Sequence, residues 1–345
     1  MGTRPREQFR LTVLNPGGRD REQHFDTLES AGKDAHAPVN FHAYAACTHG
    51  SFQSNVRRAI AEETPVLVLL RGDFKASLQA VRALKTASRT VVVSLKETGL
   101  HQIADQLSDP SKLARFVAAL HLADGAIGAT LEAADFFASF NGAKKRAAYI
   151  PTPYPVEGNA WDYSLPQLQR AGILVGTREW DVPSRNHLAA VQIAQRIGHA
   201  AQETITVFNF GEAQGRRLLR ALGPASASVR VLEHKLSYTN YLAEVARHKV
   251  VWQLDTSFVP GQVAGDALLC GLPCVGGNGA IDRLAFPHLC GWNRSFEELT
   301  QLAIRLCADP SFYADAVNEA RAHAHARVSF AVVARELADF FARLS

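Results

Sequence analysis

The sequence predicts an α/β protein made of two parallel-sheet domains. Short β-branched runs alternate with helix-length amphipathic stretches along the whole chain, which is the pattern of repeated β-α-β units. A proline-rich break divides that alternation near its middle, and 345 residues at about 150 per domain leave room for two cores. With 47% apolar and 20% charged residues, 24 Gly and 15 Pro, the chain has an ordinary globular composition, which excludes a disordered or collagen-like protein.

In the first half, strands are expected at residues 10–14, 39–44, 66–70, 90–94, 125–128 and 147–150, with helices between most of them. The helix expected over 51–63 illustrates the logic. Phe52, Val56 and Ile60 recur every four residues on one face, whereas Arg57, Arg58 and Glu62 point elsewhere. The segment from Pro151 to Gly158 then carries three prolines within five residues, removing backbone donors and disfavouring helix, and reads as an interdomain linker. Beyond it, strands are expected at 172–176, 204–208, 228–232, 250–254 and 274–276, alternating with helices at 185–197, 214–222, 238–248, 263–269, 296–307 and 310–324. The expected domains are therefore 1–150, a linker at 151–158, and 159–325, with a final helix in 326–345 that crosses back to the first domain. Two such sheets would face each other across a cleft at their carboxyl ends, where ligands usually bind.

Charge narrows the partners. The 37 Lys+Arg against 33 Asp+Glu give only +4, and the basic residues are scattered, so no nucleic-acid partner is expected. The five cysteines include no C-x-x-C pair and suit free thiols in a reducing cytoplasm. The polar amino terminus lacks an apolar signal core, no run of about 18 apolar residues occurs, and Met1-Gly2 lacks the context of a myristoylation site, so a cytoplasmic protein without a membrane segment is expected. No metal-binding triad or Asp-x-Asp motif is visible, and neither metal nor cofactor is expected.

The most informative segment is 250–277. A buried strand, Val250 to Leu254, enters the loop Asp255-Thr256-Ser257-Phe258-Val259-Pro260-Gly261. A short helix from Gln262, the turn Gly271-Leu272-Pro273 and a second buried strand follow. Amide donors at the amino end of that helix would favour an anionic phosphate. The arrangement resembles the donor-binding motif of GT-B glycosyltransferases, in particular the large retaining family that uses sugar nucleotides (family 4, group 1 type). In that family a Glu, seven residues and a second Glu precede Ala-x-x-x-Gly-x-Pro-Val. Here Asp266-Ala267-Leu268-Leu269-Cys270-Gly271-Leu272-Pro273-Cys274-Val275 follows the second half, with Asp266 in place of the second Glu. Eight residues before Asp266 stands Phe258, where the family has its first acid.

The resemblance implies a GT-B fold and transfer of a sugar, with retention and without metal, from a nucleoside diphosphate donor to an acceptor that is a glycan, lipid-linked glycan, protein or small molecule. It implies that Asp266 accepts hydrogen bonds from the ribose, and that Gly261 and Gln262 hold phosphate or sugar through their amides. Gly176-Thr177-Arg178 and Arg185 would clamp the diphosphate. Asn209-Phe210-Gly211-Glu212 falls at the next turn of the motif, and His234 and Lys235 fall where the base is held. In the first half, Asn15-Pro16-Gly17-Gly18 resembles the glycine loop that meets the donor. By position after strands, Cys47-Thr48-His49-Gly50, Arg71-Gly72-Asp73, Lys96-Glu97 and His101 are acceptor-side candidates, with His49, Glu97 and His101 as proton-transfer groups. Two other classes stay open: a GT-B-like binding or scaffold protein that has lost catalysis, motivated by Phe258, and a sugar-nucleotide epimerase of the same architecture. A nicotinamide dehydrogenase is the least favoured class, because Asn15-Pro16-Gly17-Gly18-Arg19-Asp20 cannot be read as G-x-G-x-x-G.

Overall fold

The computed structural model describes residues 9–25, 36–140, 146–210, 213–223 and 229–344. The chain divides into two compact units, Met1–Pro155 with Ser329–Ser345, and Val156–Val328. Each contains a largely parallel sheet alternating with helices, an α/β architecture.

In chain order the first unit holds β1 (Thr12–Leu14), β2 (Gln23–His24), α1 (Phe41–Cys47), β3 (Ser51–Gln53), α2 (Val56–Ala61), β4 (Val66–Leu70), α3 (Lys75–Thr86) and β5 (Val91–Leu95). It continues with α4 (Leu100–Leu107), α5 (Pro110–Leu122), β6 (Gly125–Gly128), α6 (Leu131–Ala138) and β7 (Ala147–Tyr149). The strand order is β2-β3-β1-β4-β5-β6-β7, with β2 the antiparallel edge. β4 and β5 are buried at every position, as a parallel strand covered on both faces must be. Alternate side chains separate into two cores. Val66, Val68 and Leu70 join α3 and α5 on one face, while Leu67 and Leu69 join α1 on the other.

The second unit holds β8 (Ile173–Val175), α7 (His187–Ala201), β9 (Ile205–Phe208), α8 (Ala213–Ala221), β10 (Val229–Leu232), α9 (Tyr238–Val245) and β11 (Val250–Trp252). Then come α10 (Gln262–Leu269), β12 (Cys274–Val275), α11 (Ala280–Ala285), α12 (Phe296–Ala308) and α13 (Pro310–Arg327). Asp309 caps α13 through its carboxylate, and Pro310 follows at the first helical position, where its missing N–H is harmless. The last helix, α14 (Phe330–Ala342), lies in the first unit, where Phe330, Val333, Leu337, Phe340 and Phe341 join the core beside α1.

Two sequence expectations need correction. Segment 39–44 is not a strand; its residues lie largely in α1, all seven of whose side chains are buried. An apolar run buried all round has no period to read, and the three alanines of Phe41-His42-Ala43-Tyr44-Ala45-Ala46-Cys47 favour helix. Conversely, the start of the helix expected over 51–63 is β3, which pairs with β1 from Thr12↔Ser51 to Leu14↔Gln53. The Phe52 spacing that suggested a helical face belongs instead to a strand, and the helix begins only at Val56, after Asn55 caps it.

Candidate functional site

The strand order of the second unit, β10-β9-β8-β11-β12, fixes where a ligand would lie. From β8 the chain winds outward through β9 and β10, then crosses back to β11 on the other side. The loops leaving the carboxyl ends of β8 and β11 therefore diverge and leave a crevice at the switch point. Gly176-Thr177-Arg178 leaves β8, and 253–261 leaves β11 and leads into α10. Gly176 is needed because α10 comes so close: a Cβ there would lie 2.3 Å from Val263 Cγ1 and 2.9 Å from Val251 Cγ1. Gly176→Ala is expected to push the start of α10 off the sheet and destabilise the protein by about 1–3 kcal/mol, measurable by thermal unfolding; an unchanged melting temperature would show that α10 shifts freely.

Arg178 and Asp266 meet in this crevice. Asp266 lies one turn into α10 with no exposed surface, and the Tyr238 hydroxyl donates to its Oδ1 at 2.5 Å. Its Oδ2 is buried and unbonded. Tyr241 is close enough to favour the charged carboxylate but is not in hydrogen-bonding geometry with Oδ2. Burial pushes the Asp266 carboxyl up to about 6, against the opposing influence of Tyr238, Arg178 and Tyr241. The Arg178 guanidinium carbon sits 4.9 Å above the Tyr241 ring centroid. Burial works against its charge, but Tyr241, Asp266, Glu179 and Tyr238 outweigh burial and hold its pKa above the ordinary arginine value. Tyr238 and Tyr241 stand three residues apart on one face of α9, capped by the Ser237 hydroxyl. The sequence places both only within the helix expected over 238–248, although their i, i+3 spacing is visible in it.

Arg185 lies at the end of a short 3-10 turn, Pro183–Arg185, before α7. Its guanidinium is already engaged by acids: it forms an ion pair with buried Asp255 and lies 3.4 Å from Glu179 Oε2. The loop 255–261 is fastened from two sides. Asp255 Oδ1 accepts from the Ser257 amide at 2.8 Å, and the Asn278 side chain accepts from the Phe258 amide at 3.2 Å. Gly261, with φ +94°, ends the loop as the cap of α10, and Gln262 is that helix's first residue. Phe258 packs edge-on to the half-exposed Trp292 at 5.5 Å, with the Arg283 guanidinium against both rings.

Further along the same edge, Thr177 Oγ1 lies 2.6 Å from His187 Nδ1, and burial lowers the pKa of this histidine to about 4. His187 Nε2 and Asn209 Oδ1 are, like Asp266 Oδ2, buried without a hydrogen-bond partner. Trp180 connects these two residues: its ring lies 4.0 Å from His187, and its N–H donates to the Phe208 carbonyl beside Asn209. His234 and Lys235 follow β10 and are exposed. Gly211 and Glu212 lie outside the described residues.

In the first unit, loops at the carboxyl ends of β1, β4 and β5 converge. The Asn15–Gly18 turn closes with the Gly18 amide donating to the Asn15 carbonyl at 3.0 Å, and Arg71 Nη1 donates to the Gly17 carbonyl at 2.8 Å. Lys96 Nζ and Asn15 Nδ2 both donate to Asp20 Oδ2 at 2.5 Å. Glu97 accepts from Gln106 at 3.2 Å, and His101 is exposed on α4. The positional argument for His49 fails. With α1 a helix, His49 precedes β3 rather than following a strand, and its carbonyl accepts from Arg10, just before β1. It therefore stands at the amino end of the sheet, opposite Gly18, Arg71, Lys96 and Glu97.

No family model and no curated protein matches this chain. Solved structures do. HepE from Anabaena, crystallised with UDP-glucose, is similar with a TM-score of 0.61 at 14% identity, covering 96% of this chain and 99% of that one. An α,α-trehalose 6-phosphate synthase from Burkholderia multivorans has a TM-score of 0.60 at 10% identity, covering 98% of this chain and 97% of that one. A glycosyltransferase from Rickettsia africae has a TM-score of 0.56 at 10% identity, covering 84% of this chain and 79% of that one. At these identities the likeness establishes the fold alone, two parallel-sheet units of GT-B type. Among the described residues, no helix is long and apolar enough to cross a membrane.

Proposed function

We propose that this protein is a glycosyltransferase that takes a sugar from a nucleoside diphosphate donor bound on its second unit. The observation that carries the proposal is the buried, unbonded Oδ2 of Asp266 beside the Arg178 guanidinium at the β8–β11 switch point. An orphaned carboxylate oxygen in a buried site is costly unless a ligand hydroxyl completes it, and a nucleotide ribose offers such donors. The guanidinium is suited to fork onto diphosphate oxygens, with the amino end of α10 adding backbone donors. His187 and Asn209, each with one buried atom unbonded, extend the polar lining along the same sheet edge.

In this reading the departing diphosphate is stabilised by Arg178 and the helix end; Glu97 and His101 remain the acceptor-side candidates and Gly18 a donor-side one. Retention at the anomeric carbon follows from the sequence resemblance. The similar structures crystallised with UDP and UDP-glucose support a uridine nucleotide as the first donor to try. Thermal unfolding with UDP, GDP, dTDP and UDP-glucose tests the proposal. A ligand at about a hundred times its Kd stabilises by about 2.7 kcal/mol, a rise of several degrees. A flat response across the panel would sink donor binding.

Phe258 favours a second reading, a nucleotide-sugar-binding protein without transfer. Its ring faces Trp292 and Arg283 where the related motif has a carboxylate. Release of UDP from UDP-glucose in a sensitive assay, lost in Arg178→Ala, would exclude that alternative.

A further inference from the structure

Asp282 is an acid that no motif singled out. It sits in the first turn of α11, is 2% exposed, and belongs to the segment Gly276-Gly277-Asn278-Gly279-Ala280-Ile281-Asp282 that follows β12. Gln253, the first residue after β11, donates from Nε2 to its Oδ1 at 2.8 Å. Three glycines leave space for the carboxyl group. A Cβ at Gly277 would lie 2.3 Å from Oδ1, and one at Gly279 or Gly261 would lie 2.7 or 3.0 Å from Oδ2. The same turn grips the loop 255–261 through its backbone. The Ala280 amide donates to Val259 at 2.9 Å, the Ile281 amide to Pro260 at 3.0 Å, and the Asn278 amide to Asp255 at 3.0 Å.

We propose that Asp282 is a positioning residue for the loop 255–261: its buried carboxyl group, seated against Gly261, Gly277 and Gly279 and bonded to Gln253, fixes the point at which α10 begins. It touches no ligand in this scheme; it acts through the placement of Gly261, Gln262 and, one turn on, Asp266. The consequence for nucleotide binding rests on the function proposed above, whereas the ordering of the loop does not.

The groups facing Asp282 set its protonation. Burial and the neighbouring Asp255 charge, itself paired with Arg185, push the Asp282 carboxyl up to about 7. Cys274 of β12 and Cys290 beyond α11 face it as thiols, and both are themselves shifted upward, with burial first and Asp282 contributing. Arg283 follows it on α11. A seated carboxyl with a raised pKa holds its proton more tightly than the same carboxyl in an opened, solvated loop. Closure is therefore favoured at low pH and loses that advantage as pH rises toward about 7.

Amide hydrogen exchange of residues 255–264, expressed as protection factors, tests the proposal in the full chain across about pH 5 to 8. Asp282→Ala should lose about tenfold or more of that protection at about pH 5 and less as pH rises toward about 7, with β4 and β5 of the first unit unchanged. Asp282→Asn keeps the shape and an uncharged hydrogen-bonding group, so it should retain low-pH protection and remove its pH dependence. UDP binding by calorimetry should weaken about tenfold in Asp282→Ala and stay within about threefold in Asp282→Asn. Unchanged protection in Asp282→Ala, or equal loss in both variants, would overturn the proposal. Should Asp282→Ala fail to fold, the comparison of wild type with Asp282→Asn decides: wild type must lose protection toward pH 7 while the variant does not. A wild type that binds no nucleotide would overturn only the donor-binding function, since loop protection is read without ligand.

Discussion

Asp266→Asn is expected to weaken UDP binding by about ten- to a hundredfold at neutral pH and above, measured by calorimetry. The substitution preserves volume in a site with no exposed surface, so the loss isolates charge. Two effects combine. The ribose hydroxyls lose a charged acceptor at Oδ2, worth about 1.5–3 kcal/mol, and Arg178 loses the countercharge that helps raise its pKa. The pH dependence separates this from general damage. The Asp266 carboxyl is raised from 3.8 to about 6, so the ligand-free fold holds the proton more tightly than the unfolded chain. Its contribution to stability, on the order of 3 kcal/mol, is complete below the unfolded value and fades as pH rises to the folded one. Nucleotide binding should run the other way, strengthening as pH rises through about 6, because the ionised group is the better acceptor. Asp266→Asn should flatten both trends. A variant that binds UDP as tightly as wild type would remove Asp266 from the site.

Parts of this architecture were legible because local pattern and burial agree. β4 and β6 coincide with the expected strands at 66–70 and 125–128, since short buried runs bounded by turns leave few alternatives. The segment around α10 was legible from its motif, and the motif pointed to Asp266. The error at 39–44 has the opposite cause: α1 is buried on every side, so its sequence carries neither a 3.6-residue nor a two-residue period. His49 was then misplaced by inheritance, since its candidacy depended on the strand.

Other features of the site depend on contacts between segments far apart in sequence. Nothing local marks Tyr238 as the residue that bonds Asp266, 28 positions away. The family resemblance points Arg185 at the phosphates; its partner Asp255, 70 positions away, occupies the guanidinium and makes it a fastening for the β11 loop. Asp282 lies in α11, a helix of six residues for which the sequence gives no expectation between the strand at 274–276 and the helix at 296–307. Its burial under three glycines is a property of the assembled loops alone.

Arg170→Ala should produce the largest loss of stability, about 3–5 kcal/mol, and a fall in melting temperature of about 6–20 °C. Arg170 is 6% exposed. Its Nε and Nη2 donate to the Leu165 carbonyl at 2.9 and 2.6 Å, and Nη2 also donates to Cys270 at 3.1 Å. Nη1 donates to the Gly271 carbonyl at 2.8 Å and to the Tyr313 hydroxyl at 2.9 Å. One planar guanidinium thus joins the segment before β8, the turn between α10 and β12, and α13, using donors in a geometry that an ammonium cannot reproduce. Alanine would strand several acceptors that water reaches poorly, so Arg170→Lys should recover only part of the loss. The consequence reaches the site, because Gly271 and Cys270 end the helix that carries Asp266. UDP stabilisation should therefore fall in Arg170→Ala below its folding midpoint, although Arg170 touches no part of the crevice lining. A melting temperature within about 2 °C of wild type would show that the network is replaced by solvent and contributes little to the fold.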